Sequence, residues 1–240
     1  MHESTGMKII ARVHSDFPTK FGVPRQSGLV EQLCAQIVFE PEYRAAEAVR
    51  GLEGYSHIWI IWQFSQALRG DWSPTVRPPR LGGNRRVGVF ATRSPFRPNS
   101  IGLSCVRLER VEMTRERGAV LHVAGADMVD GTPVFDIKPY LTYADCRPEA
   151  TGGFTDTRAR RMLEVSVADG LLERVPEEKR QALLGVLAND PRPSYHSGGD
   201  RVYGFGFAGL EVRFRVEGET LYVVEVQNMA HITSSRSARK

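Results

Sequence analysis

Residues 91–104, ATRSPFRPNSIGLS, set Arg93 and Arg97 four positions apart on a backbone stiffened by Pro95 and Pro98. Proline fixes its own φ and biases the residue before it toward extended backbone, so the two guanidiniums are held out rather than wound into a helix. Arginines in a rigid frame suit planar anions, phosphate or carboxylate, which they grip through paired N–H donors. The surroundings are cationic as well. From Arg77 to Arg110 there are eight arginines and one acidic residue, Glu109, in a chain of net charge +4. Two readings follow from composition: a solvated basic loop, or a face for nucleic acid or a phosphorylated ligand.

Other arrangements that resemble chemistry fail on their context. GFGFAG (204–209) has the spacing of a dinucleotide-binding turn. That turn needs a helix to follow it, so that the helix N-terminus faces the pyrophosphate. Here LEVRFRV follows, alternating with period two, which predicts a strand and leaves the glycines to serve a strand bend. The six histidines show no HxH or HxxxH spacing, so no metal site is expected. Ser104, His57 and an aspartate can be drawn as a triad, but Ser104 is not on a nucleophile elbow. His57, in YSHIWIIW, stands at the entry to an apolar run and reads equally as a structural histidine.

The elements that must carry these residues are mostly short strands. MKIIARVHS (7–15), LCAQIVFE (33–40), HIWIIWQF (57–64), RVGVFA (86–91), IGLSCVRLERVE (101–112) and AVLHVAGADMV (119–129) all read as strands. The run 57–64 is continuously apolar, which predicts burial on both faces. PEYRAAEAVRGLEG (41–54) predicts a helix, with Pro41 in its first turn and Gly51 or Gly54 ending it. FPTKFGVPRQSG (17–28), 65–86 and DGTPVFDIKPYLTYADC (130–146) read as loops. VPEEKRQALLGVLAND (175–190) predicts a second helix, and LEVRFRV and LYVVEV a hairpin around EGET. Many strands, few helices and long loops predict a mainly β fold: a small β-barrel over residues 1–154 and a smaller α+β unit over 155–235, with a basic tail at 236–240.

Composition is that of an ordinary globular protein, 41% hydrophobic and 25% charged over 240 residues. No apolar run reaches the roughly 18 residues of a membrane span, and MHESTGMKII lacks the pattern of a secretory leader. Cys34, Cys105 and Cys146 are odd in number and widely spaced. They form no evident disulfide framework, and a reducing cytoplasm is the expected compartment.

Taken together, ATRSPFRPNSIGLSCVRLERVE (91–112) and DMVDGTPVFDIKPYLTYAD (127–145), with FGVPRQ (21–26), LEGYSHIWI (52–60) and DPRPSY (190–195), resemble the TsaA-like or YaeB-like (TrmO-type) tRNA (adenine(37)-N6)-methyltransferases of bacteria and archaea. The resemblance covers most of the chain in order. Ser100 departs from it, standing where Pro or Gly is as often expected, and touches no assigned role.

The resemblance implies a β-barrel that binds S-adenosylmethionine outside the Rossmann fold, in a homodimer with the cofactor near the interface. It implies methylation of threonylcarbamoyl-adenosine 37 in the anticodon loop of threonine tRNAs; the alternative is a non-catalytic module that binds S-adenosylmethionine or RNA and regulates or scaffolds, and neither a metal nor a membrane is expected as a partner. Cofactor contacts carried over by motif fall on Pro24, Arg25, Gln26, His57, Ile58, Arg93, Leu103 and the run Asp127, Met128, Val129, Asp130, Gly131, Thr132. Arg93 or Arg25 suits a carboxylate, and Leu103 and Ile58 can sandwich adenine. His57 and Asp136 are the two candidates for a general base, and Asp136 has the alternative of pairing with Lys138. For tRNA phosphates the candidates are Arg77, Arg80, Arg85, Arg86 and Arg97, with Arg158, Arg160 and Arg161 at the junction. Phe96, Tyr140 or Tyr143 can stack on a splayed base. The C-terminal part either grips tRNA or buttresses the barrel.

Overall fold

The structure, a computed structural model, describes residues 6–68, 71–78, 81, 85–156, 162–192 and 201–229. Arg80, Arg158, Arg160, Arg161, residues 193–195 of DPRPSY and the tail 236–240 lie outside the described residues.

Six strands close a barrel: β1 (Ala11–His14), β2 (Cys34–Phe39), β3 (His57–Gln63), β6 (Ile101–Thr114), β7 (Gly118–Ala124) and β8 (Pro133–Pro139). Their order around it is β1-β2-β7-β6-β3-β8, every pairing is antiparallel, and β8 returns to β1. Between β3 and β6 lies a two-stranded ribbon, β4 (Thr75–Val76) with β5 (Val87–Gly88). Side chains alternate along a strand. On β3 that sends Ile58, Ile60 and Trp62 inward, where they meet Val13, Ile37, Val106 and Leu121 in one apolar core. Each such side chain contributes about 1.5–3 kcal/mol by leaving water.

The expectation that 57–64 is buried on both faces is corrected by this alternation, for His57, Trp59, Ile61 and Gln63 are only half-buried on the outer face. The expected helix at 41–54 is replaced by three 3-10 turns, Pro41–Tyr43, Ala46–Val49 and Leu52–Gly54. Tyr43, Val49 and Leu52 all reach the barrel core. On one helix they would point to opposite sides, and the breaks between turns let each find the core. RVGVFA keeps only β5 as strand before a 3-10 turn at Val89–Ala91.

The largest departure is at 130–146, read as loop, which contains β8, the strand that closes the barrel, and a short helix α1 (Thr142–Asp145). Proline is tolerated at a strand's first residue, and Pro133 occupies that place. A shift of register opposite Ile61 and Trp62 leaves Phe135 as a bulge.

The C-terminal sheet has the order β10 (Tyr203–Phe207), β11 (Leu210–Glu217), β12 (Thr220–Asn228), β9 (Glu164–Val167), with β9 parallel to β12. Helix α2 (Glu177–Ala188) lays Ala182, Leu183, Val186 and Leu187 on it. GFGFAG forms β10 and its turn, as its context predicted, with Ala208 and Gly209 both at positive φ. Gly206 has a further reason: a Cβ there would lie 2.7 Å from Cγ of Pro18.

Gly102 is the most closely packed glycine of the barrel strands. It pairs across β6 and β3 with Trp62, and a Cβ on it would sit 2.3 Å from Cε2 of that indole. Gly102→Ala should therefore cost about 1–3 kcal/mol by overpacking. A thermal melt should show a fall of roughly 2–4 °C per kcal/mol. An unchanged melting temperature would show that Trp62 is free to move aside.

Candidate functional site

Loop 91–100 enters the barrel rim as a series of tight turns. Thr92 Oγ1 donates to the Val89 carbonyl at 2.8 Å and accepts from the Ser94 amide at 3.2 Å, and Ser94 Oγ accepts from the Phe96 amide at 3.2 Å. Arg97 turns back and donates to the Thr92 carbonyl at 2.9 Å, with its guanidinium 5.8 Å from the centre of the Phe90 ring. Arg93 points the other way, exposed, and donates to Gln26 Oε1 at 2.6 Å. Sequence motifs 67 residues apart are thereby joined.

Beside that pair lies Asp127, half-buried just beyond the end of β7. Ser104, wholly buried on the inner face of β6, donates to Asp127 Oδ1 at 2.6 Å and accepts from Trp62 Nε1 at 2.9 Å. Burial raises the Asp127 carboxyl from 3.8 to about 6, opposed by the Ser104 hydroxyl, its own backbone amide, the charge of Arg93 and the Ser27 amide. Gln26, Arg93 and Asp127 thus form one polar corner, anchored in the barrel through Ser104 and Trp62. Ser104 has no histidine partner among the described residues, so the triad reading is set aside. Its place was legible only as a polar residue in the inward stripe Gly102, Ser104, Val106, Leu108.

The rest of 127–132 turns inward or back on the chain. Met128 and Thr132 are buried, and Thr132 Oγ1 donates to the Val129 carbonyl at 2.6 Å. The Met128 carbonyl accepts from Ser15 Oγ at 2.8 Å, and Asp130 Oδ1 accepts the Ser15 amide at 3.1 Å, with His14 Nδ1 at 3.5 Å. The Gly131 amide, at φ 75°, donates to the Val13 carbonyl at 2.8 Å. These five residues shape the turn, and Asp127 alone of the run hydrogen-bonds to Ser104.

Pro24 is half-buried beside Gln26, while Arg25 is exposed and donates to the Arg192 carbonyl at 3.2 Å. Leu103 is 51% exposed on the outer face of β6, whereas Ile58 is fully buried inside the barrel. The adenine sandwich between their side chains is therefore corrected: they stand on opposite faces of the sheet.

His57 and Asp136 also occupy the outer face. His57 Nδ1 lies 3.0 Å from Ser56 Oγ, and its ring meets Tyr140 edge-on at 6.2 Å. Tyr140 in turn lies 6.0 Å from Trp59, whose Nε1 donates to Asp145 at 3.0 Å. Burial pushes the Tyr140 phenol up. Asp136 Oδ2 pairs with Lys138 at 2.9 Å, and its Oδ1 accepts the Ile137 amide at 2.9 Å. Among the described residues no hydrogen bond links His57 or Asp136 to Arg93, Gln26 or Asp127. Arg77, Arg85 and Arg86 are exposed around the β4–β5 ribbon, where Arg86 Nε donates to Thr75 Oγ1 at 2.7 Å.

Comparison with known proteins gives this geometry a context. Residues 12–146 match the tRNA-methyltransferase O N-terminal domain, and residues 162–229 match the TrmO C-terminal domain. The chain is similar to the tRNA (adenine(37)-N6)-methyltransferase of Escherichia coli, with 44% identity over 215 residues, 86% of this chain and 91% of that one. The protein of the same name from Eikenella corrodens is 48% identical over 164 residues, 68% of this chain and 92% of its own. A crystal structure of TrmO from Pseudomonas aeruginosa superposes with a TM-score of 0.76 at 32% identity, covering 95% of this chain and 99% of that one.

The raised carboxyl of Asp127 has a measurable signature. Between its ordinary 3.8 and about 6 the folded chain holds a proton that the unfolded chain has released. Stability from this group therefore falls as pH rises through that window, and above it the ionised carboxylate is a net penalty. Asp127→Asn should raise stability at pH 7.5 by about 1–3 kcal/mol, with the gain vanishing below about pH 4. Thermal melts across that range decide it, and a lower melting temperature for the variant at pH 7.5 would contradict a desolvated carboxylate.

Proposed function

The chain belongs to the tRNA-methyltransferase O family, and from that premise we propose that it methylates N6 of threonylcarbamoyl-adenosine 37 in threonine tRNAs, with S-adenosylmethionine as donor. The observation that carries the reading is the corner formed by Gln26, Arg93 and Asp127.

That corner fits the amino-acid end of the cofactor. Asp127 is held by hydrogen bonds, and among the described residues no lysine or arginine lies within ion-pair distance of it. A desolvated carboxylate offset only in part by the charge of Arg93, which stands beyond ion-pair distance, is costly, and an ammonium beside it relieves the cost. Arg93, steadied by Gln26, has further N–H donors for an α-carboxylate. Leu103 offers exposed apolar surface for an adenine ring. When bound, the cofactor supplies a methyl group on a sulfonium. The protein's share is alignment of donor and acceptor, a contribution on the order of several kcal/mol.

The acceptor nitrogen must also lose a proton. Asp136 is already engaged by Lys138, whereas the ring of His57 hydrogen-bonds, among the described residues, to its neighbour Ser56 alone, so the base we assign is His57. Arg77, Arg85, Arg86 and Arg97 supply cations for the tRNA backbone, and Tyr140 and the exposed Tyr143 supply faces for its bases. We read the chain as two units, 1–154 and 155–235, acting in the cytoplasm as a homodimer. A groove of about 540 Å³ has a mixed lining, with Leu68, Trp72 and Phe135 beside Asp71, Arg97 and Asn99, and lies next to Phe90 at 70% exposure; its exposed aromatic edge is surface that a second copy would cover. Sedimentation as a monomer at micromolar concentration would remove that part of the reading.

Two measurements test the chemistry. The chain should transfer tritiated methyl to bulk tRNA from a strain lacking the corresponding gene. No incorporation, with the carbamoyl modification verified on that tRNA, would end the proposal. Arg93→Ala should weaken S-adenosylmethionine binding in calorimetry by about tenfold or more, as expected for a charged hydrogen bond. In the same transfer assay His57→Asn should lower kcat by about a hundredfold, and Asp136→Asn should leave it close to the parent.

A further inference from the structure

Residues 15–33 connect β1 to β2 and carry Pro24, Arg25 and Gln26, yet their apolar side chains do not enter the barrel core. Phe17, Val30 and Leu33 are buried in the C-terminal core, among Leu183, Phe205 and Phe207. Phe17 meets Phe207 at 5.3 Å between ring centres, and Phe21 meets Phe205 edge-on at 6.2 Å.

The fit is close at three glycines. Gly22, at φ +95°, brings its backbone so near Phe205 that a Cβ would lie 2.5 Å from the ring. A Cβ on Gly206 would meet Pro18, and one on Gly185 of α2 would lie 2.7 Å from Cγ1 of Val30. Polar bonds cross the same seam. Lys179 Nζ of α2 pairs with Asp16 Oδ2 at 2.6 Å in a partly buried setting. The Ala208 amide donates to the Asp16 carbonyl at 2.9 Å, and Arg25 Nη2 donates to the Arg192 carbonyl at 3.2 Å.

The cofactor triplet is thus bracketed. Gly22 and Phe21 fasten it on one side and Val30 on the other, both to the C-terminal unit, while Gln26 reaches back to Arg93 on the barrel. We propose that the C-terminal unit is the cradle of the cofactor loop, and that Lys179 and Phe205 are positioning residues that set Gln26, and through it Arg93, for binding S-adenosylmethionine. The proposal rests on the reading of Gln26 and Arg93 as cofactor-binding. It follows from mechanics: a loop residue holds a geometry only as firmly as its support does.

The test uses the full chain with Lys179→Met, Lys179→Arg, Gly22→Ala and, as a reference, Arg93→Ala. Calorimetry reads S-adenosylmethionine affinity, hydrogen exchange reads the amides of 17–30, and steady-state kinetics read KM for tRNA separately. Lys179→Met should weaken cofactor binding by about threefold or more. It should also speed exchange in 17–30 and leave the KM for tRNA close to the parent, and Lys179→Arg should restore both cofactor readouts. Gly22→Ala should act in the same direction and more strongly. If it fails to fold, the Lys179 pair decides alone. Parent-like cofactor affinity in Lys179→Met, with affinity lost in Arg93→Ala, overturns the cradle and spares the cofactor site. Parent-like affinity in Arg93→Ala as well overturns the cofactor site and the cradle with it.

Discussion

One hydroxyl, sealed from solvent, is the hinge on which the site turns. Ser104 takes a hydrogen from the Trp62 indole and gives its own to Asp127. Both bonds are anchored on the inner face of the barrel, so the packing of strands β3 and β6 helps set the position of the carboxylate, although Asp127 itself follows the end of β7. The indole can reach that hydroxyl because Gly102, its cross-strand neighbour, leaves the space empty. A glycine, a tryptophan and a serine on two strands therefore fix where an acid stands and how poorly water reaches it. The cost falls on stability, because a poorly hydrated carboxylate is disfavoured once it is ionised.

The second constraint is the double allegiance of residues 15–33. Their backbone leaves and rejoins the barrel, while their side chains belong to a different core. The two matched regions, 12–146 and 162–229, are thus not independent in space. A segment of the first is packed inside the second, and the carbonyls of Asp16 and Arg192 mark the seam from either side. The basic ribbon with Arg77, Arg85 and Arg86 is in contrast a structure of two short strands, each of two residues.

Much of this is legible in the sequence. β6 and β7 alternate or run apolar with a charged turn between them, and the hairpin of β11 and β12 is announced by EGET. Arg93 stood out because prolines and a second arginine flank it, and the family resemblance joined it to Gln26. Three things were hidden, each for a physical reason. Pro133 and Pro139 made a closing strand look like a loop, because a proline at a strand end and one in a turn have the same local signature. The 41–54 segment has helix-forming residues, but its apolar side chains face the core only when the helix is broken. Asp127 and Ser104 meet through the fold, 23 positions apart, with nothing local to couple them.

The order of strands in the C-terminal sheet has a consequence for how the protein is born. β9, the first of its strands to be synthesised, has β12, the last, as its parallel neighbour, and β11 pairs with β12 as well. The sheet that receives Phe17, Val30 and Leu33 therefore cannot be completed until residues 220–228 have left the ribosome. Until then the barrel strands can pair while the segment between β1 and β2 has no seat, exposing apolar side chains to the cell. A chain cut short before residue 220 would carry every residue of the polar corner and still lack the floor beneath it.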